Sequence, residues 1–320
     1  MKVSFVGKGG SGKSTVSSSF ISYLLKKHKT VLAIDADINM HLGKMLGIDS
    51  DEKKIISEYN NPQKIREYLR GANSRIESPD KFIKSTPPAK GSNFMSLQGT
   101  NYIIKNFTQN FGDNGYFMQV GSYSEERIGG GCYHTNLSVL ENIFTHTTIS
   151  KDEWIVCDMV AGTDAFAGPM HFLFDVVFLV VEPTIEGVGV FEQYKKLSEK
   201  AEVFEEVFVI GNKVETEEDI QYLRQKIGEK LVGYVSINNS FKKLRREGKT
   251  ALLERDEDIR LFDKIYDLLE KKQPNDQKMI KLLYKLHKKH AQEDWVVGTY
   301  GPGLEKQIDP SFDYNQLRGK

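Results

Sequence analysis

The sequence predicts an α/β fold: a doubly wound, mostly parallel sheet with a helical extension at its C-terminal end. Three observations carry this. Short apolar runs recur at 3–6, 31–34, 117–120, 154–157, 176–181, 207–210 and 231–235, separated by helical patterns. Several of them are continuously apolar, as parallel strands covered by helices on both faces must be. The first run also opens directly onto a glycine-rich turn and then an amphipathic pattern, a strand–loop–helix unit.

The opening run, Val3-Ser4-Phe5-Val6, leads into Gly7-Lys8-Gly9-Gly10-Ser11-Gly12-Lys13-Ser14-Thr15. Residues 7 to 14 satisfy G-x-x-x-x-G-K-[ST], a phosphate-binding loop. Val16, Phe20 and Leu24 then share one helix face. Such a loop delivers unpaired N–H groups and a helix dipole to polyphosphate, and glycine removes the Cβ atoms that would hold phosphates away. The expected nucleotide-binding set is Gly9, Gly10, Ser11, Gly12, Lys13, Ser14 and Thr15. Lys13 is placed to reach the β- and γ-phosphates and the Ser14 hydroxyl to coordinate Mg²⁺.

The middle of the chain is less regular. Residues 49–116 are rich in Asn, Lys, Ser and Pro, and Pro87-Pro88-Ala89-Lys90-Gly91-Ser92-Asn93 reads as a loop, so this stretch is an insertion of helices and loops. Asp35-Ala36-Asp37 closes the second apolar run, and Asp158 closes Trp154-Ile155-Val156-Cys157. A carboxylate at such a strand end can hold the hydration shell of Mg²⁺. Ile210-Gly211-Asn212-Lys213-Val214 follows another strand. From about 256 the pattern turns to charged helices, dividing the chain into a nucleotide-binding domain, 1–255, and a helical extension with a tail, 256–320. Within it, 277–292 places Met279, Leu282, Leu283 and Leu286 on one face and Lys278, Lys281, Lys285, Lys288 and Lys289 around the rest. Such a face either docks on the main domain or lies on an anionic membrane.

The early lysine sharpens this reading. Lys8-Gly-Gly-Ser-Gly-Lys13 resembles the deviant Walker A motif of the MinD/ParA and nitrogenase iron protein class of ATPases. The resemblance implies an ATP- and Mg²⁺-dependent homodimer in which Lys8 crosses the interface to the partner's phosphates. It also implies that Asp37 positions the attacking water, with Asp35 structural. Asp158-Met159-Val160-Ala161-Gly162 resembles the Walker B and switch II element, with Gly162 approaching the γ-phosphate, and Asn212 matches the class position that reads adenine. The catalytic set is then Lys8, Lys13 and Asp37, and the Mg²⁺ set Ser14 and Asp158.

Order and several runs over residues 1 to about 255 resemble the carbon monoxide dehydrogenase maturation ATPases, which insert nickel. Those carry Cys-x-Cys, joined across a dimer to hold one metal ion; this chain has Cys132-x-His134 instead. Cys132 and His134 from two subunits would make a Cys₂His₂ set for Ni²⁺ or Zn²⁺, although a loop cysteine beside a hydrogen-bonded histidine is the plainer reading. The nitrogenase iron protein branch holds a bridging [4Fe–4S] cluster with two cysteines from each subunit, one after switch II. Here no cysteine follows Cys157, Cys157 itself sits inside the strand pattern, and Cys132 alone in a dimer cannot supply four thiolates. The expected client is a metalloprotein; the alternative role is MinD/ParA-like positioning on a membrane surface or DNA.

Bulk properties narrow the classes further. Lys plus Arg equals Asp plus Glu at 44 each, so no global charge draws the chain to nucleic acid, and membrane contact is left to 277–292. Two cysteines build no disulfide framework, and the first apolar run is too short for a signal peptide, so a cytoplasmic location is expected.

Overall fold

The computed structural model describes residues 1–122, 133–247 and 250–314. Among them, one eight-stranded sheet runs in the order β3-β4-β2-β5-β1-β6-β7-β8. The strands are β1 (Lys2–Gly7), β2 (Thr30–Ala36), β3 (Gln109–Phe111), β4 (Gly115–Gln119), β5 (Glu153–Ala161), β6 (Val176–Val181), β7 (Val207–Val214) and β8 (Leu231–Ser236). All pairs are parallel except β3 with β4. The chain reaches one edge through β2 and β4, returns with β5 beside β1, and then crosses to the other edge through β6, β7 and β8. That reversal at β1 is where open α/β sheets bind ligands, beyond the carboxyl ends of the strands.

The helices are α1 (Lys13–Lys26), α2 (Leu42–Met45), α3 (Asn61–Arg70), α4 (Tyr102–Phe107), α5 (Tyr133–Thr145), α6 (Met170–Leu173), α7 (Ile185–Lys200), α8 (Glu217–Ile227), α9 (Asn239–Arg246), α10 (Asp256–Lys271), α11 (Asp276–His290) and α12 (Asp294–Tyr300). Local chemistry fixes several of their starts. Thr184 Oγ1 accepts the Gly187 N–H at 3.1 Å to cap α7, Thr216 and Asp219 form a reciprocal capping box on α8, and Asn275 caps α11. Acidic first turns on α8 and α10 complement the helix dipoles.

The period-two alternation of the strands sorts two cores. Val3, Phe5, Val31, Ala33, Trp154, Val156, Val176 and Phe178 face α1 and α10. Leu32, Ile34, Ile155, Cys157, Val177 and Leu179 face the opposite layer with α3, α5, α7, α8 and α11. The composition changes at 256, but α10 lies in the first core. Phe262 is fully buried with its ring 5.8 Å from that of Phe20, and the Tyr23 hydroxyl lies 2.5 Å from Asp263 Oδ1. Truncating Phe262 to alanine would cost about 3–5 kcal/mol.

Helix α11 docks on the opposite core through Leu283, with Met279, Leu282 and Leu286 packed beside it. Its apolar stripe thus packs on the protein's own core, with Leu283 buried and its neighbours partly so. No helix among the described residues is long and apolar enough to cross a membrane. The tail after α12 is pinned by the 75–94 part of the insertion. Arg75 Nη1 donates to the Lys306 carbonyl at 3.1 Å, Gln307 Nε2 to the Lys81 carbonyl at 2.9 Å, and the Phe94 and Phe312 rings stack at 6.1 Å.

Candidate functional site

The ends of β1, β2, β5, β6 and β7 converge on the loop between β1 and α1. Gly7 and Gly12 shape that loop. A Cβ on Gly7 would lie 2.7 Å from the Val180 carbonyl, and one on Gly12, whose φ is +93°, would lie 2.1 Å from Asn212 Nδ2. Only glycine allows these approaches. The Ser11 N–H donates to the Lys8 carbonyl at 3.0 Å, closing a turn, and α1 begins with no side-chain cap and no acidic residue in its first turn. Its N-terminal amides therefore face the loop uncapped, with the dipole favouring an anion.

Lys13, Asp37 and Asp158 meet beneath the loop. The Lys13 ammonium pairs with Asp37 Oδ2, both side chains nearly buried. Burial raises Asp37, but hydrogen bonds from Lys13 and Asn39 outweigh it and hold the carboxyl below its usual range. Asp158 is fully buried, and neither of its carboxylate oxygens has a well-formed hydrogen bond. Burial pushes it up to about 7, against the pull of Lys13 and the Ser14 and Ser17 hydroxyls. A buried carboxylate left in this state is costly unless a cation or donor meets it, so the residues present fit a hydrated divalent cation between Ser14 and Asp158. Asp35, opposite Asp158 in the β2–β5 register, is already engaged, since Leu42 N–H donates to its Oδ2 at 3.0 Å. Burial, with Asp158 beside it, raises Asp35 to about 8.

The remaining site residues lie around this centre. Gly162 N–H donates to the Gly7 carbonyl at 3.0 Å, tying the end of β5 to the loop. Asn212 Nδ2 donates to the Ser11 carbonyl at 2.6 Å. Thr15 and Asn212 line a cavity of about 350 Å³, walled by Val235, Ile237, Phe241 and Leu253. Cavities of this order hold small ligands behind apolar walls with a few polar groups. Lys8, Gly9 and Gly10 are exposed at the outer tip, and the Lys8 side chain makes no ion pair among the described residues. Ser11 is buried, its hydroxyl without a partner. Cys132 lies outside the described residues, as does the side chain of His134. No group of three or more His, Cys, Asp or Glu able to hold a metal ion occurs among the described residues.

Sequence reasoning did not reach Phe241, Ile237 or Leu253, because no motif marks an apolar wall assembled from β8, α9 and the segment before α10. It quoted Lys213 but gave it no role; the structure sets its Nζ 2.8 Å from the Gly10 carbonyl.

The profile of the CobQ/CobB/MinD/ParA nucleotide binding domain matches residues 4–252. The chain belongs to this family. As a MinD/ParA-type member it is an ATP-binding protein with the phosphate loop at the first strand. Similar relatives include an uncharacterized ATP-binding protein of Methanocaldococcus jannaschii, 27% identical over 85% of this chain and 98% of the relative. The carbon monoxide dehydrogenase accessory protein CooC of Rhodospirillum rubrum is 21% identical over 70% of this chain and 78% of its own. A solved ParA family ATPase from Chlorobium tepidum shares the fold, with a TM-score of 0.52 at 14% identity over 88% of this chain and 98% of that one.

Proposed function

We propose that this protein is a Mg²⁺-dependent ATPase that dimerises around bound ATP, reopens on hydrolysis, and serves metallocentre maturation. The observation that carries the ATPase reading is the buried Asp158 carboxylate, without a well-formed hydrogen bond and beside Lys13 and Ser14. Strand β5 runs three residues past it to Ala161, so it lies within the strand and not at the end that the apolar run suggested. Ser14 and Asp158 would hold Mg²⁺, which when bound neutralises charge between the β- and γ-phosphates. Lys13, released from Asp37, binds those phosphates, and Asp37 is then free to orient the attacking water. Lys8 reaches the partner's phosphates from the exposed tip. Gly162, bonded to Gly7, senses whether the γ-phosphate is present. Asn212 uses one N–H on Ser11, which leaves Oδ1 and a second N–H for the adenine edge.

Likeness to a carbon monoxide dehydrogenase accessory protein supports the maturation role. In this reading Cys132 and His134 of two subunits hold one Ni²⁺ or Zn²⁺ as cargo for a client metalloprotein. The test is protein trapped with a slowly hydrolysed ATP analogue and Mg²⁺, analysed for mass and metal. A dimer carrying one transition metal ion is expected. A monomer overturns the dimer reading, and a metal-free dimer overturns the cargo reading.

A further inference from the structure

Asn212 and Lys213 are neighbours on β7, yet both side chains reach the same loop. In a regular strand, adjacent side chains leave opposite faces. Here the β7–β8 register shifts between Asn212 and Val214, and Lys213 has a φ of +59°, uncommon for a residue with a Cβ. An irregularity of this kind re-aims a side chain. Asn212 therefore donates to the Ser11 carbonyl at 2.6 Å and Lys213 Nζ to the Gly10 carbonyl at 2.8 Å. The same ammonium pairs with the Glu182 carboxylate, one residue beyond β6.

We propose that Lys213 is a positioning residue that fixes the tip of the phosphate loop to the ends of β6 and β7 before nucleotide arrives; this rests on reading the loop as the ATP site. The tip needs such a hold. Gly9 and Gly10 have nothing within 4 Å of where a Cβ would be, so no packing restrains them, and glycine has the most backbone freedom to lose on ordering. A trans peptide sets each N–H opposite its carbonyl. With the Gly10 and Ser11 carbonyls held on the β7 side, the Gly12 N–H faces away from β7. An ion pair this exposed adds little to global stability, so its effect belongs to the loop.

The test compares Lys213→Gly, Lys213→Arg and the parent chain. Glycine adopts the same φ without strain while deleting the amine, so misfolding is not expected, and the urea midpoint should hold or rise. The dissociation constant for Mg-ATP should rise about tenfold in Lys213→Gly, the loss of one charge-assisted hydrogen bond. Lys213→Arg, which keeps a charged donor, should recover to within about threefold. Amide exchange at 9–12 in the nucleotide-free protein should speed up in Lys213→Gly. Unchanged exchange together with unchanged ATP affinity overturns the proposal. If the parent chain itself binds no ATP, the ATP reading fails, and the exchange comparison alone decides whether Lys213 holds the loop.

Discussion

Lys13, the loop lysine, pairs with Asp37, so the two residues to which the proposed mechanism gives the phosphates and the attacking water occupy each other. In that mechanism phosphate takes Lys13 from Asp37, and the same exchange frees Asp37. Asp37→Asn should therefore keep Mg-ATP binding within about tenfold while lowering kcat by about 10²-fold or more, the range of a lost general base. Isothermal titration and steady-state phosphate release separate the two. An Asp37→Asn enzyme with parental kcat would remove Asp37 from the chemistry.

Lys8 presents the opposite situation, exposed and without an ion pair among the described residues. Exposure at the loop tip leaves the Lys8 ammonium accessible to a second copy of the chain, as its proposed role at a partner's phosphates requires. Lys8→Ala should leave the affinity of the monomer for ATP nearly unchanged. It should abolish association driven by an ATP analogue and lower kcat by about 10²-fold or more, as loss of a trans cation does. Light scattering with the analogue reads the first effect directly, and retention of the dimer would count against the trans role.

Gly12 is constrained twice, by its φ of +93° and by Asn212 Nδ2 at 2.1 Å from a would-be Cβ. Gly12→Ala should cost about 1–2 kcal/mol from the backbone alone and about 1 kcal/mol more as the Asn212–Ser11 bond gives way. Adding Asn212→Ala removes the collision but not the backbone strain. The double variant should therefore lose clearly less than the sum of the two single losses in urea denaturation. Strict additivity would show that Asn212 does not crowd this position.

The sequence was most legible where one period or one motif carried a whole element. All seven apolar runs became strands, since a parallel strand buried on both faces must be apolar throughout. Strand β3 was missed: Gln109-Asn110-Phe111 has no apolar run, and it pairs only because the short turn at 112–114 folds it antiparallel onto β4 at the sheet edge. The docking face of α11 was readable as an amphipathic stripe, but only the packed core distinguishes a protein surface from a lipid one as its cover. The tail's target, 75–94, depends on Arg75, Lys81 and Gln307 bonding across more than two hundred residues, which no local pattern reports. At the site, the motif located the turn between β1 and α1, whereas Asp158, read as closing its strand, lies inside β5, which continues to Ala161 because Met159 and Ala161 carry the pairing on. The irregularity that turns Lys213 toward Gly10 is a property of β7–β8 pairing and is silent in the sequence.

Glu141 on α5 is fully buried, one of its oxygens lacks a partner, and a Cβ on Gly168 would collide with it. Burial raises its carboxyl to about 8, opposed by the charge of Lys84. The folded state thus keeps a proton on Glu141 that the unfolded chain releases at ordinary carboxylate pH. With fewer protons bound in the unfolded state, stability falls as pH rises. The loss begins above the unfolded value and ends near pH 8, where the folded carboxyl also ionises. His146, lowered to about 3 by burial, and His290, lowered to about 4, act with the opposite sign, and their effect fades within about one pH unit above the unfolded histidine value of about 6.5. Both histidines are present in the parent chain and in a Glu141 variant, so the difference between the two chains from about pH 6.5 to 8.5 isolates Glu141. Over that interval Glu141→Gln, which titrates in neither state, should lose about 1–2 kcal/mol less stability than the parent chain. Urea denaturation at the two pH values, without nucleotide, measures the difference; parallel losses in both proteins would mean that Glu141 is ionised in the fold.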